Sequence, residues 1–209
     1  MQEALKKRRH NNVFHEHSHS RASGYLKLRK KGTVVITGVR EPAGQSVSSF
    51  FYNLTKKKSY WYVGSKKYIR NLDIKTLIEI FKTRLPYHLD YTYRKWFEYY
   101  EKTTGVDIKN LNETAWGWEI YKGDCSFIFY RMEELKTFLV SAPLGGKAPE
   151  PDLIKNSARD IWYSAMYLDF KRRLVFSKAE YKSLFRGYKA TDLFYDDDLA
   201  QNLMKEYIV

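Results

Sequence analysis

The chain has little cysteine and no long apolar run, and each shortage excludes a class of protein. Its 209 residues include a single cysteine, Cys125. An intramolecular disulfide and a cysteine zinc site are therefore excluded, and we expect Cys125 to be a small buried hydrophobic residue. No stretch approaches the roughly 20 apolar residues of a membrane span, and residues 1–9 lack the apolar core of a signal peptide. These observations predict a soluble, cytoplasmic protein.

Acidic residues are also in short supply relative to basic ones. The chain carries 37 Lys and Arg against 24 Asp and Glu, a formal net charge of +13. Such a balance favours an anionic partner: nucleic acid, a membrane surface, or a phosphorylated or sulfated small molecule. The basic residues are dispersed, which fits a charged face around a cleft as well as a nucleic-acid track. The main clusters are Lys6 to Arg9, Lys30-Lys31, Lys56 to Lys58, Lys66-Lys67 and Lys171 to Arg173.

Apolar residues are plentiful enough for a real core. The chain is 44% hydrophobic and 17% aromatic, which excludes wholesale disorder. Its length is typical of one domain, and we find no internal repeat. Strand and helix patterns alternate, which predicts an α/β fold with a helix-rich C-terminal half. The predicted strands cover residues 12–15, 33–38, 118–121 and 126–130, and the predicted helices cover 2–10, 42–56, 73–85, 89–102, 132–141, 155–174, 177–188 and 195–207.

The segment from Thr33 to Tyr52 is the most informative one. An apolar strand ends at Arg40, and Pro42 then stands where a helix would begin, a position that suits proline. Ser48 follows eight residues after Arg40. A guanidinium at the carboxyl end of a strand, with a hydroxyl two helical turns later, suits a phosphate monoester. The alternative is an arginine that caps a strand over a packed helix.

Three other motifs are poor candidates for a site. Lys30-Lys31-Gly32-Thr33 resembles a phosphate loop but precedes a strand, whereas a phosphate cradle follows a strand and opens a helix. Gly145-Gly146-Lys147 is followed by a proline two residues later and has no strand before it. Asp196-Asp197-Asp198 complements the dipole of a predicted terminal helix. We predict no metal site from any of these.

Histidines alternate along residues 13–19, at His15, His17 and His19. Alternate residues of a strand share one face, so the three imidazoles could converge on a zinc ion. A single histidine acting as general base is a more economical interpretation. A surface strand with solvated histidines is the third.

The block from Val34 to Tyr52 resembles the sulfotransferase superfamily, in which a strand-terminal Arg, a Pro two residues on and a Ser eight residues after the Arg form a phosphate motif. The chain is most similar to the sulfotransferase-like family of capsular polysaccharide synthesis proteins. The resemblance covers most of the chain, because further blocks match in order and spacing. These are Lys95-Trp96-Phe97 with Gly105-Val106-Asp107, Phe129 to Leu135, and Phe194 to Leu199.

This resemblance implies a P-loop-type three-layer sandwich with a small, mostly parallel sheet. It implies that Arg40 and Ser48 hold the 3′-phosphate of 3′-phosphoadenosine 5′-phosphosulfate (PAPS). It also implies that His17, or His15, is the catalytic base that takes a proton from an acceptor hydroxyl while adenosine 3′,5′-bisphosphate leaves. The implied partners are an anionic nucleotide donor and a carbohydrate acceptor, rather than nucleic acid.

One part of the family pattern has no match. The first phosphate loop, a strand followed by Lys-x-Gly-Thr/Ser and a helix, should precede the histidine strand, where only residues 1–10 stand. We therefore expect a single sulfotransferase-like domain over residues 1–209 that is truncated at its N-terminal strand and phosphate loop. In this form we do not expect turnover at ordinary enzyme rates.

Two alternatives remain open at this point. The first is a basic, non-catalytic module that binds polyanions, either nucleic acid or sulfated glycan. The second is a glycosyltransferase, although no paired-aspartate nucleotide-sugar motif supports it. The sequence does not specify the acceptor or the oligomeric state.

Overall fold

The computed structural model describes residues 32–141 and 162–195, together with the single residue Gly24. These residues divide into two compact units. The first contains the described residues 32–40 and 96–141, and the second contains residues 41–95 and 162–195. The expectation of one domain over residues 1–209 stays a prediction.

The first unit contains a four-stranded sheet. Its strands are β1 (Val34–Val39), β2 (Asn112–Thr114), β3 (Gly117–Lys122) and β4 (Cys125–Arg131). The strand order is β1-β4-β3-β2. β1 and β4 are parallel, while β3 is antiparallel to both β4 and β2.

Helices precede and follow the strands along the chain, and they make up most of the second unit. They are α1 (Pro42–Asn53), α2 (Lys66–Arg70), α3 (Ile74–Leu89), α4 (Trp96–Thr104), α5 (Leu135–Ser141), α6 (Ser164–Arg173), α7 (Lys178–Phe185) and α8 (Lys189–Phe194). A π-helical segment, Asp90–Lys95, joins α3 to α4, and 3₁₀ turns lie at Ile108–Asn110 and Met132–Glu134. The protein is therefore α/β, as its sequence predicts.

The prediction of a mostly parallel sheet is wrong for the part of the sheet that the structure describes. Two of the three strand pairings are antiparallel. The physical reason is local, since the short connections at residues 115–116 and 123–124 reverse the chain and can join only antiparallel neighbours. The described part of the sheet is thus mixed.

Strand β4 is buried on both faces. Phe127 and Phe129 point to one side, where the Tyr100 ring of α4 lies 5.4 Å from the Phe129 ring. Ile128 and Tyr130 point to the other side and pack with Phe138 of α5. Because residues two apart in a strand share a face, each face of β4 has its own helix. This double burial explains its continuous apolar sequence.

The second unit has an aromatic core built on α1. Phe50 contacts the rings of Trp61, Phe81 and Phe170 at centroid distances of 5.2, 5.3 and 5.6 Å. All four side chains are fully buried. Since such residues bury large apolar areas, α1 is held by α3, α6 and the loop before α2.

Helix α1 begins with a side-chain cap from Glu41. The two carboxylate oxygens accept hydrogen bonds from the backbone N–H groups of Ala43 and Gly44, at 2.7 and 2.6 Å. Pro42 occupies the first helical position and needs no partner there. The predicted start at residue 42 is confirmed, and Glu41 supplies the acceptors that the free N–H groups require.

Several predicted helix ends differ from the observed ones. Helix α1 stops at Asn53 rather than residue 56, because the Leu54 carbonyl instead accepts from Val63 and Gly64. Helix α3 begins after Asp73, close to its predicted start at residue 73, but it passes the predicted end at residue 85 and continues through Pro86 to Leu89. Proline removes one helical donor, and the Asp90 N–H still bonds to the carbonyls of Pro86 and Tyr87.

The hairpin between β3 and β4 confirms the predicted strand pair around residues 122–124, and Cys125 is buried as expected. The predicted helix over 132–141 is confirmed as a 3₁₀ turn followed by α5. The predicted helix over 2–10, the predicted strand over 12–15 and, apart from Tyr195, the predicted helix over 195–207 lie outside the described residues.

We expect Glu41→Ala to lower the free energy of unfolding by about 1–2 kcal/mol, because two helix-terminal N–H groups lose their acceptor. Urea denaturation at neutral pH measures this change. Glu79→Ala is the matched control, since Glu79 is exposed in the middle of α3. Equal effects of the two substitutions would contradict the capping role.

We expect Gly117→Ala to cost at least about 3 kcal/mol of stability, because its φ of 136° strains any side chain. A Cβ there would also lie 2.2 Å from the Phe129 carbonyl oxygen. Gly123→Ala is the control within the same hairpin. Its φ is 59° with no atom within 4 Å of the new Cβ, so it should cost only about 1 kcal/mol. Thermal denaturation of both variants separates the clash from the backbone strain.

Candidate functional site

The carboxyl end of the β1–β4 pair is the candidate site of the first unit. The register pairs Val39, the last residue of β1, with Arg131, the last residue of β4. Adjacent strands lie about 4.8 Å apart, and Arg40 directly follows Val39. Two arginines therefore end neighbouring parallel strands at one edge of the sheet, where α/β proteins usually bind ligands.

The Arg131 side chain is held in place by two neighbours. Its guanidinium lies over the Trp118 ring, 5.1 Å from the centroid, and one nitrogen is 3.1 Å from a carboxylate oxygen of Glu134. The side chain is only 19% exposed. Stacking and pairing of this kind orient a guanidinium. Arg131 is thus partly neutralised, whereas Arg40 is exposed.

The backbone beside Arg40 is closely packed. A Cβ on Gly38 would lie 2.6 Å from the Met132 sulfur and 2.9 Å from the Tyr130 hydroxyl oxygen. The Tyr130 hydroxyl donates to that sulfur at 3.1 Å, and burial raises the pKa of Tyr130 to about 12. Tyr130 therefore keeps its proton and directs it to the Met132 sulfur.

Ser48 lies in the second unit, on α1. The neighbouring serines are engaged: the Ser46 hydroxyl donates to the Pro42 carbonyl at 2.7 Å, and the Ser49 hydroxyl accepts from the Trp61 indole at 3.2 Å. Ser48 is half-buried, and no hydrogen bond reaches its hydroxyl from the residues that the structure describes. Ser48 is therefore the serine of α1 with an unused hydroxyl.

The N-terminus of α1 is capped by a carboxylate of the protein itself. Because the Glu41 carboxylate already takes the N–H groups of Ala43 and Gly44, these donors are closed to an external phosphate. Binding of a phosphate at the start of α1 would need side-chain donors instead.

The predicted catalytic histidines His15 and His17 lie outside the described residues. His88 is the one histidine that the structure describes, and it is only 3% exposed. Its Nδ1 contacts the Tyr60 hydroxyl, and the Trp61 ring lies 5.2 Å from its own. Burial lowers the pKa of His88 to about 4. His88 is a neutral core residue, so it does not replace His17 as a base.

The described residues form neither a metal cluster nor a membrane-spanning helix. Over 32–141 and 162–195, no three or more histidine, cysteine, aspartate or glutamate side chains gather as a metal site. In these same ranges, no helix has the length and apolar character needed to cross a membrane. His19 and Asp196 to Asp198 lie outside them.

Comparisons of the chain with protein-family models, with curated proteins and with solved structures find no match. The class that the structure itself defines is an α/β protein with a small mixed sheet and an arginine-bearing carboxyl edge. Arg131 is the residue of this edge that sequence reasoning left without a role. The available signal was the apolar strand Phe127 to Tyr130 ending in arginine, the same pattern that points to Arg40.

We expect the free energy of unfolding to fall in acid, because His88 must then take up a proton in the core. Its folded-state pKa of about 4 lies below the ordinary 6.5, so its stabilising contribution is complete above pH 6.5 and is lost as the pH falls toward 4. The loss at pH 4 should be about 3 kcal/mol. Urea denaturation from pH 7 to pH 4 measures it. His88→Gln should show a shallower decline, and parallel curves for both proteins would contradict this role.

Proposed function

We propose that the protein is sulfotransferase-like, and that it acts in transfer of a sulfuryl group from PAPS to a hydroxyl of a carbohydrate or other acceptor. The observation that carries the proposal is the junction of β1, Arg40, Glu41 and α1. It has the strand, the exposed arginine and the proline-started helix that the resemblance requires.

We propose that Arg40 and Ser48 bind the 3′-phosphate of this donor. The two residues belong to different compact units. We therefore assign them to one phosphate on the basis of their eight-residue spacing along the chain. The exposure of Arg40 and the unused hydroxyl of Ser48 support the proposal. A guanidinium supplies charge-assisted hydrogen bonds to phosphate, and a hydroxyl adds a neutral donor.

The proposed architecture is the P-loop-type three-layer sandwich. Its support is the parallel pairing of β1 with β4, whose long intervening segment contains α1 to α4. Parallel strands need such a crossover, usually a helical one.

In the proposed mechanism, His17 accepts the proton of the acceptor hydroxyl, with His15 as the alternative base. The acceptor oxygen forms a bond to sulfur as the bond from sulfur to the bridging phosphate oxygen breaks. Adenosine 3′,5′-bisphosphate then leaves with the negative charge. A neighbouring cation would stabilise the charge that develops on the bridging oxygen.

Binding of adenosine 3′,5′-bisphosphate tests the proposal without requiring turnover. We expect saturable binding in isothermal titration calorimetry, with Arg40→Ala and Ser48→Ala each weakening it at least tenfold, because each removes a phosphate contact. Arg172→Ala is the control, since Arg172 is an exposed arginine at the end of α6.

A different result would favour the polyanion-binding alternative. That function predicts that Arg40→Ala weakens binding of the bisphosphate only slightly, and that this binding falls steeply with salt. Wild-type protein that shows no saturable binding of the bisphosphate would overturn the proposed donor site.

A further inference from the structure

Positive charge is concentrated in one segment of the second unit. Between Glu41 and Asp73 the chain has six basic residues and no acidic one. All six side chains are exposed. We call them the basic face; it consists of Lys56, Lys57, Lys58, Lys66, Lys67 and Arg70.

The fold joins the two halves of the basic face. The Leu54 carbonyl accepts from the backbone N–H groups of Val63 and Gly64, at 2.8 and 3.3 Å. These bonds close the loop that contains Lys56 to Lys58 and bring its end to the start of α2. Trp61 anchors the loop, because its side chain is fully buried and its indole donates to Ser49.

Aromatic rings hold part of the basic face. The Lys56 amine lies 3.1 Å from the centroid of the Tyr52 ring. The Trp162 ring carries two cations, with Lys66 at 5.7 Å and Arg70 at 5.8 Å. Trp162 also contacts Tyr163, which packs on Phe51 of α1. The rings therefore attach Lys66 and Arg70 to the aromatic core of the unit.

None of the six cations has an ion-pair partner among the described residues. Basic residues elsewhere do have one, including Lys82 with Glu180, Arg94 with Asp90, and Arg173 with Asp169. Since neighbouring like charges raise the local potential when no anion offsets them, the basic face attracts an external polyanion.

We propose that the basic face binds an acidic polysaccharide, a chain with repeated carboxylate or sulfate groups. Ammonium groups presented along an exposed surface suit such anions. Single-stranded nucleic acid fits less well, because its binding relies on bases stacking on open aromatic rings. Here the rings of Tyr52 and Trp162 already hold cations, which leaves Tyr68 as the exposed ring within α2. This binding does not depend on the proposed sulfuryl transfer.

The test compares two triple variants that remove the same charge. Lys56→Ala/Lys66→Ala/Lys67→Ala disrupts the basic face, and Lys109→Ala/Lys122→Ala/Lys136→Ala removes three exposed lysines of the first unit. Heparin binding by the full chain is titrated from 0.05 to 0.3 M salt (~0.1 M as reference). Circular dichroism melting confirms that each variant folds.

The basic-face variant should bind heparin at least tenfold more weakly at the reference salt, with the slope of log K against log salt reduced by about 2. The control variant should change less than threefold. Neutral dextran should not bind, and Arg40→Ala should leave heparin binding within twofold. Loss of bisphosphate binding by Arg40→Ala would thus be separable from this surface.

Three results would overturn the proposal. One is equal weakening by both triple variants, which would mean a general charge effect. Another is absence of heparin binding by the wild-type chain at the reference salt. The third is tighter binding of oligo(dT) than of heparin at equal charge, together with a loss of at least fivefold in Tyr68→Ala, which would identify the partner as single-stranded nucleic acid.

Discussion

The parallel pairing of β1 with β4 is the constraint on which the first unit depends. It aligns Val34 with Ser126 and Val39 with Arg131, so both strands end at one edge. Because parallel neighbours cannot be joined by a tight turn, a long crossover connection links the two strands. The helices of this connection include α4, whose Tyr100 covers one face of the sheet. The same register sets Arg40 and Arg131 at one edge.

Two arginines of similar sequence context have different surroundings at this edge. Arg131 lies over the Trp118 ring and is paired with Glu134, so part of its charge is offset within the protein. Arg40 is exposed, and it precedes a helix whose N-terminal donors are taken by Glu41. The dipole of α1 is therefore already complemented by a carboxylate of the protein itself.

Much of the fold follows from local sequence patterns. The apolar run over 126–130 predicts a strand, and the pattern from residue 73 predicts a helix, as observed in β4 and α3. The ends of elements are less predictable, because distant partners decide them. Helix α1 stops where Leu54 turns its carbonyl to Val63 and Gly64. Pro86 stays inside α3, whose Leu85 and Leu89 are both buried.

The sequence by itself determined the strand-to-helix junction at Arg40 and Pro42 and the burial of Cys125. It also determined that no acidic residue lies between Glu41 and Asp73. These depend on backbone preference, charge and apolar character, which are properties of nearby residues. Only the tertiary structure decided that Arg131 shares an edge with Arg40, that His88 is a neutral core residue, and that Lys66 and Arg70 lie over Trp162. Strand register and packing create these contacts between residues far apart in the chain.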